Sequence, residues 1–271
     1  MDKSNVARAA GHRPARLAAR LLVAGLSALL VVFVGGPLLR LLLAAEPASL
    51  RAALGDPEVR ASILLTVGAA SAATALALLG GVPLAWLLAR RRFPGRRAIE
   101  ALLDLPVVVP HPVAGIALLL FLGRESPVGR VLARAGLEVV NHVPGIVAAM
   151  LFVSVPLLVS AAREAFTAVD PRLERVARTL GDSPATVFRR ITLPLAARPI
   201  LAGAVLAWAR SVSEFGAVVV LTYNPKVGSI LTFDRFTTGG LAAAVPVAVL
   251  LLAVALVVTA VARLLVRERA P

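Results

Sequence analysis

At 271 residues, 59% of them hydrophobic, and a mean hydropathy of +0.87, the chain is far too apolar for an ordinary soluble domain and reads as an integral membrane protein. Its net charge of +14 would suit nucleic acid, but the arginines fall between apolar runs long enough to cross a bilayer, so membrane topology accounts for them and no nucleic-acid partner is expected. Cysteine is absent and the three histidines, His12, His111 and His142, are scattered, so neither a disulfide framework nor a metal centre is expected.

Residues 1–16 are polar and basic. The apolar run from Leu17 to Ala45 is too long for the core of a signal peptide and reads as a retained first span. Residues 46–60, with Glu46, Asp56 and Glu58, should lie outside. A second span, Ala61 to Ala89, contains the breaker Gly80-Gly81-Val82-Pro83, tolerable where neighbouring helices re-satisfy the backbone. Arg90, Arg91, Arg92, Arg96 and Arg97 follow, a cluster suited to topology and lipid headgroups. The third span, Leu105 to Leu122, opens with Pro106, Pro110 and Pro112, which predict an irregular or kinked start. A polar external stretch, Gly123 to Asn141, leads to a fourth span, Val143 to Ala161, interrupted at Pro156. The fifth is Ile200 to Leu221. A polar loop, Thr222 to Gly240, leads to the sixth, Leu241 to about Ala262, and Arg263, Arg267 and Arg269 mark a basic tail.

With both termini in the cytoplasm, the inside segments hold 20 of the 29 Lys and Arg and the outside segments 7, the asymmetry expected of that orientation. The expected architecture is all-α with six transmembrane helices. Residues 1–55 form the basic tail and first span, 56–266 the main domain with a cytoplasmic insert at 164–194, and 267–271 a basic tail. No internal repeat is visible, which counts against transporters built from inverted repeats.

The insert from Asp170 to Pro194 is polar yet patterned. Asp170 can cap a helix opening at Pro171. Leu173, Val176, Ala177 and Leu180 form one apolar stripe, and Glu174 precedes Arg178 by four residues, the order that favours a helical ion pair. Gly181 is placed to end the helix in a left-handed conformation. Ser183 and Pro184 start a second short helix with Val187, Phe188 and Ile191 on its face, and Pro194 should end it.

This insert resembles the cytoplasmic signature of ABC importer permeases: Glu-Ala-Ala, three residues, Gly, nine residues, Ile, one residue, Leu-Pro. Ala177, Gly181, Ile191, Leu193 and Pro194 match at that spacing, whereas Arg175 and Val176 stand at the Glu and first Ala positions and Glu174 falls one place early. The resemblance implies a type I ABC importer permease fold. It also implies that coupling helices built on Glu174, Arg175, Ala177, Leu180, Gly181, Phe188, Ile191, Leu193 and Pro194 dock into an ATPase subunit. The alternative is an amphipathic segment lying on the lipid surface.

In the fifth span, Trp208-Ala-Arg-Ser-Val-Ser-Glu-Phe-Gly216 places Arg210 and Glu214 four residues apart, on one face, with Ser211 and Ser213 adding hydroxyls. An ionisable group at mid-span costs on the order of 3 kcal/mol, so such residues face a bundle interior. The pair is either a polar lining or gate of an anion path, or a buried ion pair that fixes helix register. His111, between two prolines, either lines the same path or serves a bland hydrogen-bonding role beside a kink.

Ala209, Arg210, Glu214, Phe215 and Gly216 resemble a string in permeases for sulfate, molybdate and tungstate. Leu105 to Gly115, Tyr223 to Lys226 and Phe233 to Thr237 look most like the tungstate/molybdate branch. That resemblance implies a homodimeric pore subunit in the cell (inner) membrane, surrounded by membrane lipid. It would work with ABC ATPase subunits, which would bind ATP and magnesium, and with an extracytoplasmic solute-binding protein. No cofactor and no enzymatic activity are expected of this chain: it has no phosphate-binding Gly-x-x-x-x-Gly-Lys-[Ser/Thr] loop, no His-Glu-x-x-His and no Gly-x-Ser-x-Gly. A sulfate permease and an ion-coupled secondary transporter using Arg210 and Glu214 as a proton relay are the alternatives. Lys226 and Arg235 either meet the binding protein or are solvated loop charges.

Overall fold

The computed structural model describes residues 3–268; residues 1, 2 and 269–271, the ends of the two basic tails, lie outside the described residues. The chain divides into two units, one running to Leu50 and the other beginning at Arg51. In the first, helix α1 (Lys3–Ala44) contains a 25-residue apolar stretch, Arg20–Ala44, long enough to cross a membrane. Helix α2 (Pro47–Gly55) then carries the chain into the second unit.

The second unit is built on three long helices: α3 (Pro57–Arg90), α7 (Val143–Ala168) and α10 (Leu193–Val212). They pack closely because their facing residues are small. Ala69, Ala70, Ala73, Ala77, Gly81 and Ala85 line the buried side of α3, and Ala149, Ala162 and Ala165 that of α7. In lipid, where apolar side chains gain little from leaving solvent, such small faces let backbones approach and gain dispersion energy. A Cβ added to Gly203 of α10 would lie 2.5 Å from the Ala161 Cβ, so α10 and α7 touch there at a distance only glycine permits.

Several expected breaks are absent. Helix α3 runs unbroken through Gly80 to Pro83, and α7 through Pro156, because each is flanked by helices that hold it in line. The chain also passes Pro194 without stopping. After α8 (Pro171–Thr179) and the single turn α9 (Pro184–Val187), a π turn at Phe188–Thr192 leads straight into α10. Pro194 therefore sits in the first turn of α10, directly after the π turn.

Other breaks are sharper than expected. The third span is two helices, α4 (Arg96–Val108) and α5 (His111–Leu122), at 120° to one another. Only α5 follows the predicted span, and the turn falls at Val109 and Pro110, where the residue before proline is driven to an extended conformation. The external stretch contains α6 (Pro127–Arg134). The fifth span starts seven residues early, at Leu193, and stops at Val212; three non-helical residues precede the six-residue helix α11 (Gly216–Leu221). The predicted loop before the sixth span is largely helical: α12 (Gly228–Glu268) runs through it and changes direction at Gly240, whose φ of 69° is open to glycine. Among the described residues, five helices are long and apolar enough to span a membrane, or six if the α4–α5 pair counts as one span. The chain is thus a multi-pass membrane protein.

Candidate functional site

Arg210, His111 and Glu214 come together where the fifth span breaks. The Arg210 Nη2 lies 2.9 Å from the Glu214 Oε2 and 2.8 Å from the His111 Nε2, and the His111 Nδ1 is 3.3 Å from the same Glu214 oxygen. The Arg210 Nη2 also lies 3.1 Å from the His111 Nδ1, so the guanidinium faces both nitrogens of the ring. The Ser213 Oγ accepts from the Arg210 Nη1 at 3.3 Å and donates to the Arg210 carbonyl at 3.0 Å. Ser211, expected beside them, turns away into the core, where its hydroxyl lies 3.5 Å from the Met150 carbonyl.

Glu214 is the organiser of this cluster. Its side chain is 1% exposed, and its Oε1 accepts from the Ala217 N–H at 2.7 Å, so the carboxylate caps the start of α11. Its carbonyl accepts from the Ser229 hydroxyl at 2.7 Å, tying the break to α12. One residue therefore joins α10, α11, α5 and α12. Glycines bring α5 and α11 together around it: a Cβ on Gly216 would lie 2.6 Å from the His111 Cβ, and one on Gly115 2.8 Å from the Ala217 carbonyl. The depth of the cluster follows from Trp208, whose Nε1 donates to the Ser71 hydroxyl at 3.1 Å, near the middle of the 34-residue α3. Arg210 and His111 keep part of their surface open; Glu214 does not.

A second cluster lies at the end of the bundle where α3 and α7 finish. The Asp170 carboxylate accepts from the Arg172 N–H at 2.8 Å and the Ser183 hydroxyl from the Thr186 N–H at 3.2 Å, the two caps expected from sequence. Gly181 has φ +99°, and the Gly181 and Asp182 N–H groups reach back to the Arg178 and Ala177 carbonyls, a Schellman termination of α8. Val187 is buried, Ile191 is half-buried, and Phe188 packs against Trp86 and Phe166 at ring-centroid distances of 5.6 and 6.0 Å.

The expected ion pair between Glu174 and Arg178 does not form. Glu174 faces inward and its Oε1 takes the Arg90 Nη2 at 2.9 Å and the Thr192 hydroxyl at 2.9 Å, while the Arg178 Nε donates to the Glu174 carbonyl. Arg90 also donates to the Val169 carbonyl at 2.8 Å. A mostly buried guanidinium has more to gain from the carboxylate than an exposed one, and this decides the partner. Of the apolar stripe, only Ala177 is buried: Leu173 is 47% exposed, Val176 58% and Leu180 82%. Arg175 and Pro194 are exposed and Leu193 is half-buried. A cavity of about 360 Å³ opens between Trp86, Arg90 and Arg91 on one side and Glu174, Arg178 and Phe188 on the other.

At the opposite end, Lys226 and Arg235 are neither free nor merely solvated. The Lys226 Nζ pairs with the Asp234 Oδ2 at 2.7 Å, and Arg235 bridges Asp56 and Glu58 at 2.8 Å each. The Asp234 hydrogen bond holds the Lys226 ammonium above the usual lysine range. The Glu58 N–H, followed by Arg235, holds the Asp56 carboxyl below the usual aspartate range. The network fastens the start of α12 to the start of α3. Sequence reading missed Arg90, Thr192, Ser229 and Asp234 as partners; Arg90 is one of five arginines in a run, and nothing local marks it out.

Among the described residues, no group of His, Cys, Asp or Glu is placed to hold a metal ion. The sequence family described as binding-protein-dependent transport system inner membrane component matches residues 81–270. The molybdate/tungstate transport system permease protein of Pyrococcus furiosus is 41% identical over 237 residues, 87% of this chain and 90% of that protein. The molybdenum transport system permease protein of Mycobacterium tuberculosis is 40% identical over 189 residues, 70% of this chain and 72% of that protein. A bacterial alginate ABC transporter, solved in complex with an alginate pentasaccharide-bound periplasmic protein, has a chain that superposes with a TM-score of 0.75 at 18% identity, over 95% of this chain and 96% of that one.

Proposed function

The chain belongs to the binding-protein-dependent transport inner membrane components, and from that premise we propose that it is the pore subunit of an ATP-driven importer of molybdate and tungstate. The observation that carries the reading is Arg210: a partly open guanidinium at mid-bundle, backed by a carboxylate and flanked by an imidazole and a hydroxyl. A tetrahedral dianion passing through an apolar bundle needs such donors, and the open part of the Arg210 guanidinium offers them. The relatives named for molybdate and tungstate support that choice of oxyanion over sulfate.

In this reading two copies form the pore, ATPase subunits supply the energy at the α8–α9 knob, and a solute-binding protein delivers the ion at the opposite face. The knob end and both termini lie in the cytoplasm, as the distribution of Lys and Arg favours. Closure of the ATPase pair moves the knob, and the Glu174–Arg90 pair passes that motion to α3. The break at Ser213–Phe215, joined to four helices through Glu214, is where such motion would open or close the route past Arg210. The test is uptake by Arg210→Ala and Arg210→Lys variants that still assemble with the ATPase. Loss of uptake in Arg210→Ala, with partial retention in Arg210→Lys, supports the reading; full uptake by both removes Arg210 from the path.

A further inference from the structure

Resting on the reading that the knob meets the ATPase, we propose that the groove which receives it is apolar in its floor and acidic along its rim. Glu174 is the glutamate nearest the place where the family signature carries one, yet its carboxylate is spent inside the chain on Arg90 and Thr192. Asp170 is turned to the N-terminus of its own helix, and Asp182 is half-buried beyond Gly181. The outward charges of α8 are therefore Arg172, Arg175 and Arg178, all exposed, with Arg189 and Arg190 exposed on the π turn that follows. Among the described residues the Arg172 and Arg175 side chains have no ion-pair partner, so their charge is available to another molecule.

Helical spacing sets these charges against the apolar ridge. Leu173, Val176 and Leu180 share one side of α8, Arg172 and Arg175 follow on the side away from buried Ala177, and the protein body closes the remaining flank through Ala177 and Glu174. A receiving surface that buries the three apolar side chains thus meets a border of arginines on its free side. Carboxylates there would make charge-assisted, bidentate contacts, whereas lysines or arginines would repel. Both helix ends are fixed, by the Asp170 cap and the Schellman turn at Gly181, and the Arg90–Glu174 pair fixes its rotation. So rigid a projection, with only three apolar side chains, suits a shaped protein groove rather than a fluid lipid surface, which rewards a longer apolar face with cations on both borders.

The experiment is a binding titration of the transporter's own ATPase subunit against the full chain in lipid nanodiscs, at low and high salt. The proposal expects Arg175→Glu to raise Kd about tenfold and Arg175→Gln by less, and salt to weaken the wild type more than the Arg172→Gln/Arg175→Gln double variant. Val176→Asp should abolish binding. If Val176→Asp abolishes binding but Arg175→Glu binds as well as the wild type or better, the rim is neutral or basic and the proposal is overturned while the docking reading stands. If neither variant changes Kd, the docking reading itself fails and the proposal with it. If Kd is unmoved and the variants instead retain less phosphatidylglycerol on purification, the stripe faces lipid and the proposal is likewise overturned.

Discussion

Arg210 and Glu214 were legible from sequence as a pair, because opposite charges at i and i+4 in an apolar run face one another and have little else to satisfy them. What the sequence could not assign was their division of labour. Glu214 is enclosed and holds helices together; Arg210 and His111 keep the open surface. Glu214→Ala should therefore act first on stability. It leaves a guanidinium without its counter-charge among apolar spans, which costs about 3–5 kcal/mol. The expected result is a clear drop in the thermal midpoint of the purified protein, larger than for Ser213→Ala. The same asymmetry holds at the knob. Glu174→Ala strands the mostly buried Arg90 and should destabilise the protein, whereas Arg175→Ala, on an exposed residue, should leave the midpoint nearly unchanged. Equal midpoints for those two variants would contradict the inward orientation of Glu174. No local signal pointed to Arg90, 84 residues earlier, since a pairing over that distance exists only once α3 and α7 have packed.

Elements whose ends are set locally were the most readable. The caps at Asp170 and Ser183 and the left-handed turn at Gly181 stand where hydrogen-bonding side chains and a missing Cβ put them. Breaks inside the spans were less readable, since proline and glycine stop a helix only if its surroundings allow it. Pro83 and Pro156 sit within continuous helices, while the fifth span breaks at three residues that include neither. That break has a local cause and a tertiary one: the Glu214 carboxylate takes the Ala217 N–H three residues on, and its carbonyl takes the Ser229 hydroxyl of α12. Two substitutions test these elements. Gly181→Ala forces a Cβ into φ +99° and should cost roughly 1–2 kcal/mol, shifting the knob and lowering coupled transport more than membrane insertion. Gly203→Val would drive side-chain atoms into the Ala161 Cβ and should separate α10 from α7, read as loss of thermal stability and of uptake together.

For the whole molecule, composition alone was enough to fix the class, and the spacing of matched residues the family. The network at the far end from the knob was not foreseen, because the charges on Lys226 and Arg235 read as loop charges until α12 is seen to start at Gly228. Its pH dependence has a definite sign. The Asp56 pKa is depressed, so the stability it contributes is present above the usual aspartate pKa and is lost as pH falls through the lowered folded value. Acidification below that ordinary range should loosen the starts of α3 and α12, seen as faster hydrogen exchange there, and Asp56→Asn should reduce this step, leaving the part carried by Asp234 and Glu58. Transport is the most direct test of the account as a whole. Labelled molybdate uptake would be followed in proteoliposomes holding this chain, its ATPase and its binding protein, with and without ATP, against unlabelled tungstate or sulfate. Uptake should occur only with ATP and be blocked by tungstate and not by sulfate. Uptake that proceeds equally without ATP would contradict the account.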